Sequence, residues 1–453
     1  MKKVREEIEK RFENCSDFIS REIILGKKRL FICFLRGMAD RGYISREMIS
    51  PITENDGKGS LKEILSSVTA TEPKDANEAV AAVLDGQALI ICGNESIVAN
   101  AAATVKRSVT EPDTDITVRG PKVGFTEDWE INLALIRRCV KSENLKSVPV
   151  IMGDVTSTRV AVVWIEGRAE KGMPERIIKD LKEQRITGLT DSGNLETLLT
   201  GNGMIPTFGS SEKADKVVSK IIAGRVAIIC DGSPFVLTAP YVFAEALQAS
   251  DDYYRSPAYA TFIRSLRFSA MLVSLFLPAL FCAAWYHAPQ LLPEAIRISL
   301  EEYAAKLPMP VWAEVFAALT VFELLREVGV RMPQRLGDAV GIVGSLILGE
   351  AAVSAGLIAP TTVMVVALSE VTAFIVPVYM YSSVIARYIL LAAGWLAGFP
   401  GVFAFASLIF CLLCSKESFG KPYMTPLAPL SREGLQDFIT AFPGKTVFRR
   451  EKL

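Results

Sequence analysis

Between Gly337 and Ser415 the sequence carries only four charged residues, Asp338, Glu350, Glu370 and Arg387, whereas charges recur every few residues from Met1 to Arg267. About 20 apolar residues suffice to cross a hydrocarbon core. A stretch several times that long divides the chain into a charged N-terminal half that can meet water and a C-terminal half that must face lipid or itself. Composition agrees: half of the 453 residues are hydrophobic and the mean hydropathy is +0.30. Fifty basic and fifty acidic side chains give zero formal charge, so no nucleic acid or other polyanion partner is implied. The first residues, "MKKVREEIEKRFENC", lack the apolar core of a secretory signal, which leaves the N-terminal half on the cytoplasmic side.

The charged half contains an internal duplication. "RLFICFLRGMADRG" from Arg29 parallels "RVAVVWIEGRAEKG" from Arg159, and "DANEAVAAVLDGQALIICGNES" from Asp75 parallels "KADKVVSKIIAGRVAIICDGSP" from Lys213. The second pair reads as a helix, a Gly at its C-terminal cap, and a buried strand. The expected fold is therefore two tandem α/β subdomains over residues 15–109 and 147–243, after a lead-in at 1–14. Residues 110–146 connect them. There Thr126 is expected to cap a helix that carries Ile131, Leu135 and Ile136 and docks between subdomains or subunits. The preceding Arg119 to Lys122 loop could also hold an anion at that helix N-terminus.

Catalytic signatures are missing. His287 is the only histidine and "PGKT" at Pro443 lacks the upstream glycine of a phosphate loop, so neither an enzyme nor a metal or cofactor site is expected. Of the eight cysteines, Cys33, Cys92 and Cys230 sit in apolar strands and read as small buried hydrophobes. Cys411 and Cys414 have paired spacing but no second pair.

After an amphipathic linker at 244–267, residues 268–415 read as an all-α polytopic membrane domain of four to six helices, with a basic cytoplasmic tail at 416–453. Phe268 to Leu292 is a first span preceded by Arg255, Arg264 and Arg267, which places the N-terminal half in the cytoplasm. Pro293 to Pro310 then lies outside, and "VWAEVFAALTVFELLREVGVR" returns inward. Glu314 and Glu323 suit it to a bundle interior or an interfacial position. Gly337 to Gly356 passes outward, "APTTVMVVALSEVTAFIVPVYMY" inward, and the run from Val384 to Cys414 is one long kinked helix or two short ones meeting at "GFPG".

On the span from Gly337, small residues recur at Gly337, Gly341, Ser345 and Gly349, one face along which another helix can approach closely. Glu350 adjoins it, and Glu370 is expected at a comparable depth on the next span. A carboxylate there is costly, so each is either a buried hydrogen-bonding group or part of an ion path. Val340, Ile342, Val343 and Leu346 are the candidate hydrophobic gate residues.

The stretches "VRGPKVGFTEDWEINLALIRR", "SPFVLTAPYVFAEALQASDDYY", "GIVGSLILGEAAVSAGLIAPTTVMVVALSEV" and "KPYMTPLAPL" together resemble the A subunits of GerA type nutrient germinant receptors of endospore-forming bacteria. The resemblance implies a multi-pass protein of the spore inner membrane. It also implies assembly as a homo-oligomer, a pentamer, with a transporter-like B subunit and a lipoprotein C subunit, and release of monovalent cations through a channel. A paralogue accompanying the dipicolinic acid channel shares the same features. Two other classes stay open: an ion-coupled transporter subunit, which would call for inverted repeats in the membrane half, and a non-conducting scaffold.

Overall fold

The computed structural model describes the chain apart from residues 1, 26–27, 56–58, 67, 103–120, 202–203, 250, 253–254, 305–306, 332–346, 431–434, 436–437 and 439–453. It divides into two compact units at Tyr241 and Val242.

In the first unit, helix α1 (Lys2–Arg11) precedes strands β1 (Phe18–Leu25) and β2 (Lys28–Leu35). A helical stretch follows: α2 (Arg41–Tyr43), a π-helical turn (Ile44–Ile49), α3 (Ser50–Glu54) and α4 (Leu61–Ile64). Next come β3 (Ala70–Thr71), α5 (Ala76–Leu84), β4 (Ala88–Cys92) and β5 (Glu95–Ala99). The continuous apolar run of β2 is explained by burial on both sides. Leu30, Ile32 and Phe34 pack with Ile44, Met48 and Ile52, while Phe31, Cys33 and Leu35 pack with Ile8 of α1, Phe12 just after it, and Val80 and Val83 of α5. Asp75 caps α5 through the Glu78 amide at 2.8 Å.

The same sequence of elements then recurs: α6 (Trp129–Cys139), β6 (Leu145–Met152), β7 (Thr158–Ile165), α7 (Met173–Glu183), α8 (Ser192–Thr200), β8 (Gly209–Ser211), α9 (Ala214–Ile222), β9 (Val226–Cys230) and β10 (Val236–Ala239). The sheets run β1-β2-β4-β5-β3 and β6-β7-β9-β10-β8, one topology twice, with every pairing antiparallel. The glycines between helix and strand have matching roles. At Gly86 (φ +86) a Cβ would meet the Met38 carbonyl at 2.8 Å, and at Gly224 (φ +88) it would meet the Arg168 carbonyl at 2.6 Å. Cys33, Cys92 and Cys230 are buried as expected.

Helix α6 begins later than the sequence suggested. Asp128, not Thr126, is the N-cap, accepting from the Glu130 and Ile131 amides at 2.7 and 3.2 Å. Thr126 is diverted because the Asn132 side chain takes its amide and carbonyl. The helix docks between the two copies. Trp129, Leu133 and Ile136 join the core of the second sheet, while Ala134 joins that of the first. Its Arg137, 1% exposed, grips Asp17 of the first copy through two hydrogen bonds of 2.7 and 3.0 Å. Of the Arg119 to Lys122 loop, only Pro121 and Lys122 lie within the described residues, and "PGKT" lies outside them.

The second unit is helical. Helix α10 (Pro257–His287) is followed by α11 (Glu294–Ala304), α12 (Val311–Arg331), a segment over 347–354 taken as α13, α14 (Pro360–Ala373) and α15 (Met380–Ser415). A small hairpin, β11 (Glu417–Ser418) with β12 (Lys421–Pro422), comes last. Among the described residues, two helical runs are long and apolar enough to cross a membrane, Pro257–His287 and Pro377–Ser415. The run from Ala359 to Tyr381, read as one span, instead breaks after Ala373 ahead of Pro377, which cannot continue the hydrogen-bond ladder. Its 14 helical residues cover about 21 Å.

Side-chain contacts give the directions of α10, α12, α14 and α15. Tyr286 at the end of α10 accepts from the Trp312 amide at the start of α12, so these two are antiparallel. Helix α14 runs beside α12 in the same direction, with Ala359 bonded to Glu314 at one end and Glu370 to Arg326 further along. Helix α15 breaks at Gly398, whose φ of 63° and ψ of −148° lie outside the helical region. A Cβ on Gly401 would fall 2.5 Å from the Ala393 carbonyl oxygen, far closer than eight residues of straight helix, about 12 Å, would bring them. The Tyr379 hydroxyl just before α15 lies 2.8 Å from that of Tyr423 just after it. Both feet of α15 therefore stand at one end of the bundle, and the "GFPG" break is the tip of a helical hairpin.

Candidate functional site

The acids of the apolar half occupy three different settings. Glu314 on α12 is fully buried and caps α14 from outside, its Oε2 accepting from the Ala359 amide at 2.9 Å and the Thr362 hydroxyl at 3.2 Å. Ala359, the N-cap, has no side-chain acceptor, so the neighbouring helix supplies one. Glu323 on α12 bonds Arg326 at 2.6 Å.

Glu370 is at the centre of the cluster. It is 3% exposed and bridges two arginines, Arg326 of α12 and Arg387 of the first arm of α15. Two acids and two bases make the group electrically neutral. This is the condition under which ionised side chains are tolerated in an apolar interior, since removing one partner leaves its neighbour uncompensated. The guanidinium of Arg326 also covers the Phe374 ring at 5.5 Å. Next to Glu370, the Ser369 hydroxyl donates to the Ser274 carbonyl of α10 at 2.7 Å. That carbonyl would ordinarily accept from residue 278, but Pro278 has no amide hydrogen. The cluster thus ties α12, α14 and α15 together, and Ser369 adds α10.

Glu350 stands apart. It is exposed on α13, beside Ile347 and Leu348, which are 59% and 49% exposed. Gly349 lies at Val363, where a Cβ would have an ordinary contact of 3.8 Å. Glu350 is accordingly level with Thr362, about 12 Å along α14 from Glu370. The comparable depth expected of the two acids fails because α13 and α14 meet in a turn near Gly356 (φ +62), so the register runs outward from there. Gly349 alone of the small-residue face lies within the described residues. Gly337, Gly341 and Ser345 and the gate candidates Val340, Ile342, Val343 and Leu346 fall outside them.

Sequence reasoning missed the basic half of the cluster. Arg387 is one of four charges in the long apolar stretch, and an acid and a base at intermediate depth on successive apolar segments was the available signal. At the far end, His287 donates from Nε2 to the Trp395 carbonyl at 3.0 Å, a carbonyl left free where the helix breaks at Gly398. Trp395 in turn stacks on Trp312 with ring centroids 4.4 Å apart. No cluster of three or more metal-ligating side chains occurs among the described residues.

A family model described as Bacillus/Clostridium GerA spore germination protein matches residues 6–453. Spore germination protein KA of Bacillus subtilis (strain 168) is 33% identical, covering 96% of this chain and 83% of the relative. Spore germination protein A1 of the same organism is 32% identical over 94% of this chain and 91% of its own. An uncharacterized membrane protein, YfkQ, also from that organism, is 30% identical over 97% and 88%. The crystal structure of the N-terminal domain of the A subunit of the Bacillus megaterium spore germinant receptor GerK3 aligns with 53% of this chain and 94% of its own. Its identity is 24% and its TM-score 0.41.

Proposed function

This chain belongs to the GerA spore germination protein family, and from that premise we propose that it is the A subunit of a nutrient germinant receptor in the spore inner membrane. The observation that carries the reading is the family match across residues 6–453. In this reading residues 268–415 cross the membrane six times and the subdomains over 15–109 and 147–243 stay in the cytoplasm. The alternating helix directions and the hairpin of α15 support six passes over four. Aromatic side chains gather at both ends, Tyr286, Trp312 and Trp395 at one and Tyr379 and Tyr423 at the other, as at the two faces of a bilayer.

The chain assembles with copies of itself and with transporter-like B and lipoprotein C subunits, and the assembly passes monovalent cations when nutrient binds. Glu350 is the carboxylate suited to that path, because it is exposed on an apolar helix where a ring of copies would bring like acids together. Glu370 holds the bundle together instead. Deleting the chain from spores tests the role. Loss of nutrient-triggered germination, restored on complementation, supports it, whereas normal nutrient response with slowed dipicolinic acid release points to the channel-associated paralogue.

A further inference from the structure

The stretch that follows β10 and the tail motif "KPYMTPLAPL" lie far apart in sequence and meet where α15 has its feet. The Phe243 amide donates to the Tyr423 carbonyl at 2.8 Å. The Phe243 ring stacks on that of Tyr379, centroids 5.6 Å apart, and Tyr379 in turn meets Tyr423 through the paired hydroxyls. Phe243 therefore touches both the residue that leads into α15 and the segment that leaves it. Tyr423 is fully buried, and the Phe438 ring closes the group against Phe243 at 6.5 Å and against Phe268 of α10 at 6.4 Å.

Phe243 opens a short 3₁₀ turn, Phe243–Leu247, and the chain beyond it is fixed on α10. Asp252, 3% exposed, accepts from Arg264 Nε at 3.2 Å, from Arg267 Nη1 and Nη2 at 2.6 and 2.9 Å, and from the Ala249 amide at 3.1 Å. The Leu247 carbonyl takes a further bond from Arg267 at 3.0 Å. A buried carboxylate shared by two guanidinium groups resists displacement, because moving it strands its partners. The segment is thus seated on the first turns of α10 and on both feet of α15.

The connection to the N-terminal unit has little slack. The Tyr241 ring lies 5.2 Å from the Lys220 ammonium of α9, and a Cβ on Gly209 of β8 would fall 2.9 Å from that ring. Val242 alone separates these contacts from those of Phe243, a span of at most about 7 Å.

We infer that the Phe243–Leu247 turn, with Asp252, is a coupling strap that delivers a rearrangement of the second α/β subdomain to α10 and α15. Packed side chains and hydrogen bonds carry such coupling, whereas a flexible linker would absorb it. Tyr379 stands eight residues, about 12 Å of helix, before Arg387, whose bond to Glu370 ties in α14. Movement of that foot reaches the Glu370 cluster and, through α14, the α13 helix that carries Glu350. The inference rests on the receptor reading and names the route by which the N-terminal half regulates the membrane half.

The test inserts Gly-Ser-Gly after Val242 of the full-length chain, which adds slack while removing none of these contacts. Potassium release on nutrient exposure is read in spores lacking the unmodified chain, at equal membrane level. Release should slow about tenfold with the melting temperature of the purified protein unchanged. Phe243→Leu, which keeps the amide bond to Tyr423 and the apolar volume but loses the ring from Tyr379, should slow release in the same direction, and decides the matter if the insertion lowers the membrane level. Release at the unmodified rate from either variant overturns the strap and leaves the receptor reading standing. Failure of the unmodified chain itself to restore release overturns the receptor reading, and the strap with it.

Discussion

Ser369 on α14 donates its hydroxyl to the carbonyl of Ser274 on α10 at 2.7 Å, taking the place of the amide that Pro278 lacks. A proline inside a helix leaves an orphan acceptor that something must satisfy in an apolar interior, and here a second helix does so. The two changes should therefore be coupled. Ser369→Ala alone should lower stability by about 1 to 2 kcal/mol. In a Pro278→Ala background, where Ser274 regains its own amide, the same change should cost clearly less. Thermal unfolding of the four proteins in lipid or detergent reads the cycle, and equal costs in both backgrounds would separate Ser369 from the proline.

Glu370 should behave as a structural ion-pair partner. Glu370→Gln strands Arg387 and should cost about 3 to 5 kcal/mol, seen as a large drop in melting temperature and membrane level. Glu370→Leu combined with Arg387→Leu should recover most of it, because Arg326 keeps Glu323. A double variant no more stable than Glu370→Gln would contradict the pairing.

The hairpin of α15 makes a topological prediction. Cysteines placed at Tyr379 and Glu417 should react with an impermeant maleimide from one face of the membrane and a cysteine at Ala397 from the other. Labelling of Ala397→Cys and Glu417→Cys from the same face would remove the second arm as a crossing.

Thiol chemistry checks the N-terminal unit. Burial pushes the Cys33 thiol well above its ordinary value and that of Cys230 up to about 12. Both groups stay protonated, hence unreactive, at pH 8. Brief maleimide treatment followed by mass spectrometry should modify the exposed Cys139 and spare these two. Rapid labelling of either would mean that its sheet opens readily.

The duplication was legible because it is carried by long apolar strands at fixed offsets, which tertiary context cannot disguise. The caps were less so: Thr126 and Asp128 are both good N-cap residues, and only the side chain of Asn132 decides between them. The apolar half was legible in mass but not in partition. Periodicity does not report where a helix turns back, so Gly398 could mark either a kink or a hairpin until the Tyr379 and Tyr423 contact joined its feet. The pairing of Glu370 with Arg326 and Arg387 spans three helices, and no local pattern records which face of each points at the others.

The central claim is that this family member carries cations, with Glu350 on the path and Glu370 off it. The direct measurement is potassium release on nutrient exposure of spores carrying either this chain or its Glu350→Gln variant, at equal protein level in the inner membrane. Slowed release or altered ion preference is the predicted result. Unchanged release at equal level would contradict it and place the path on another helix or in another subunit.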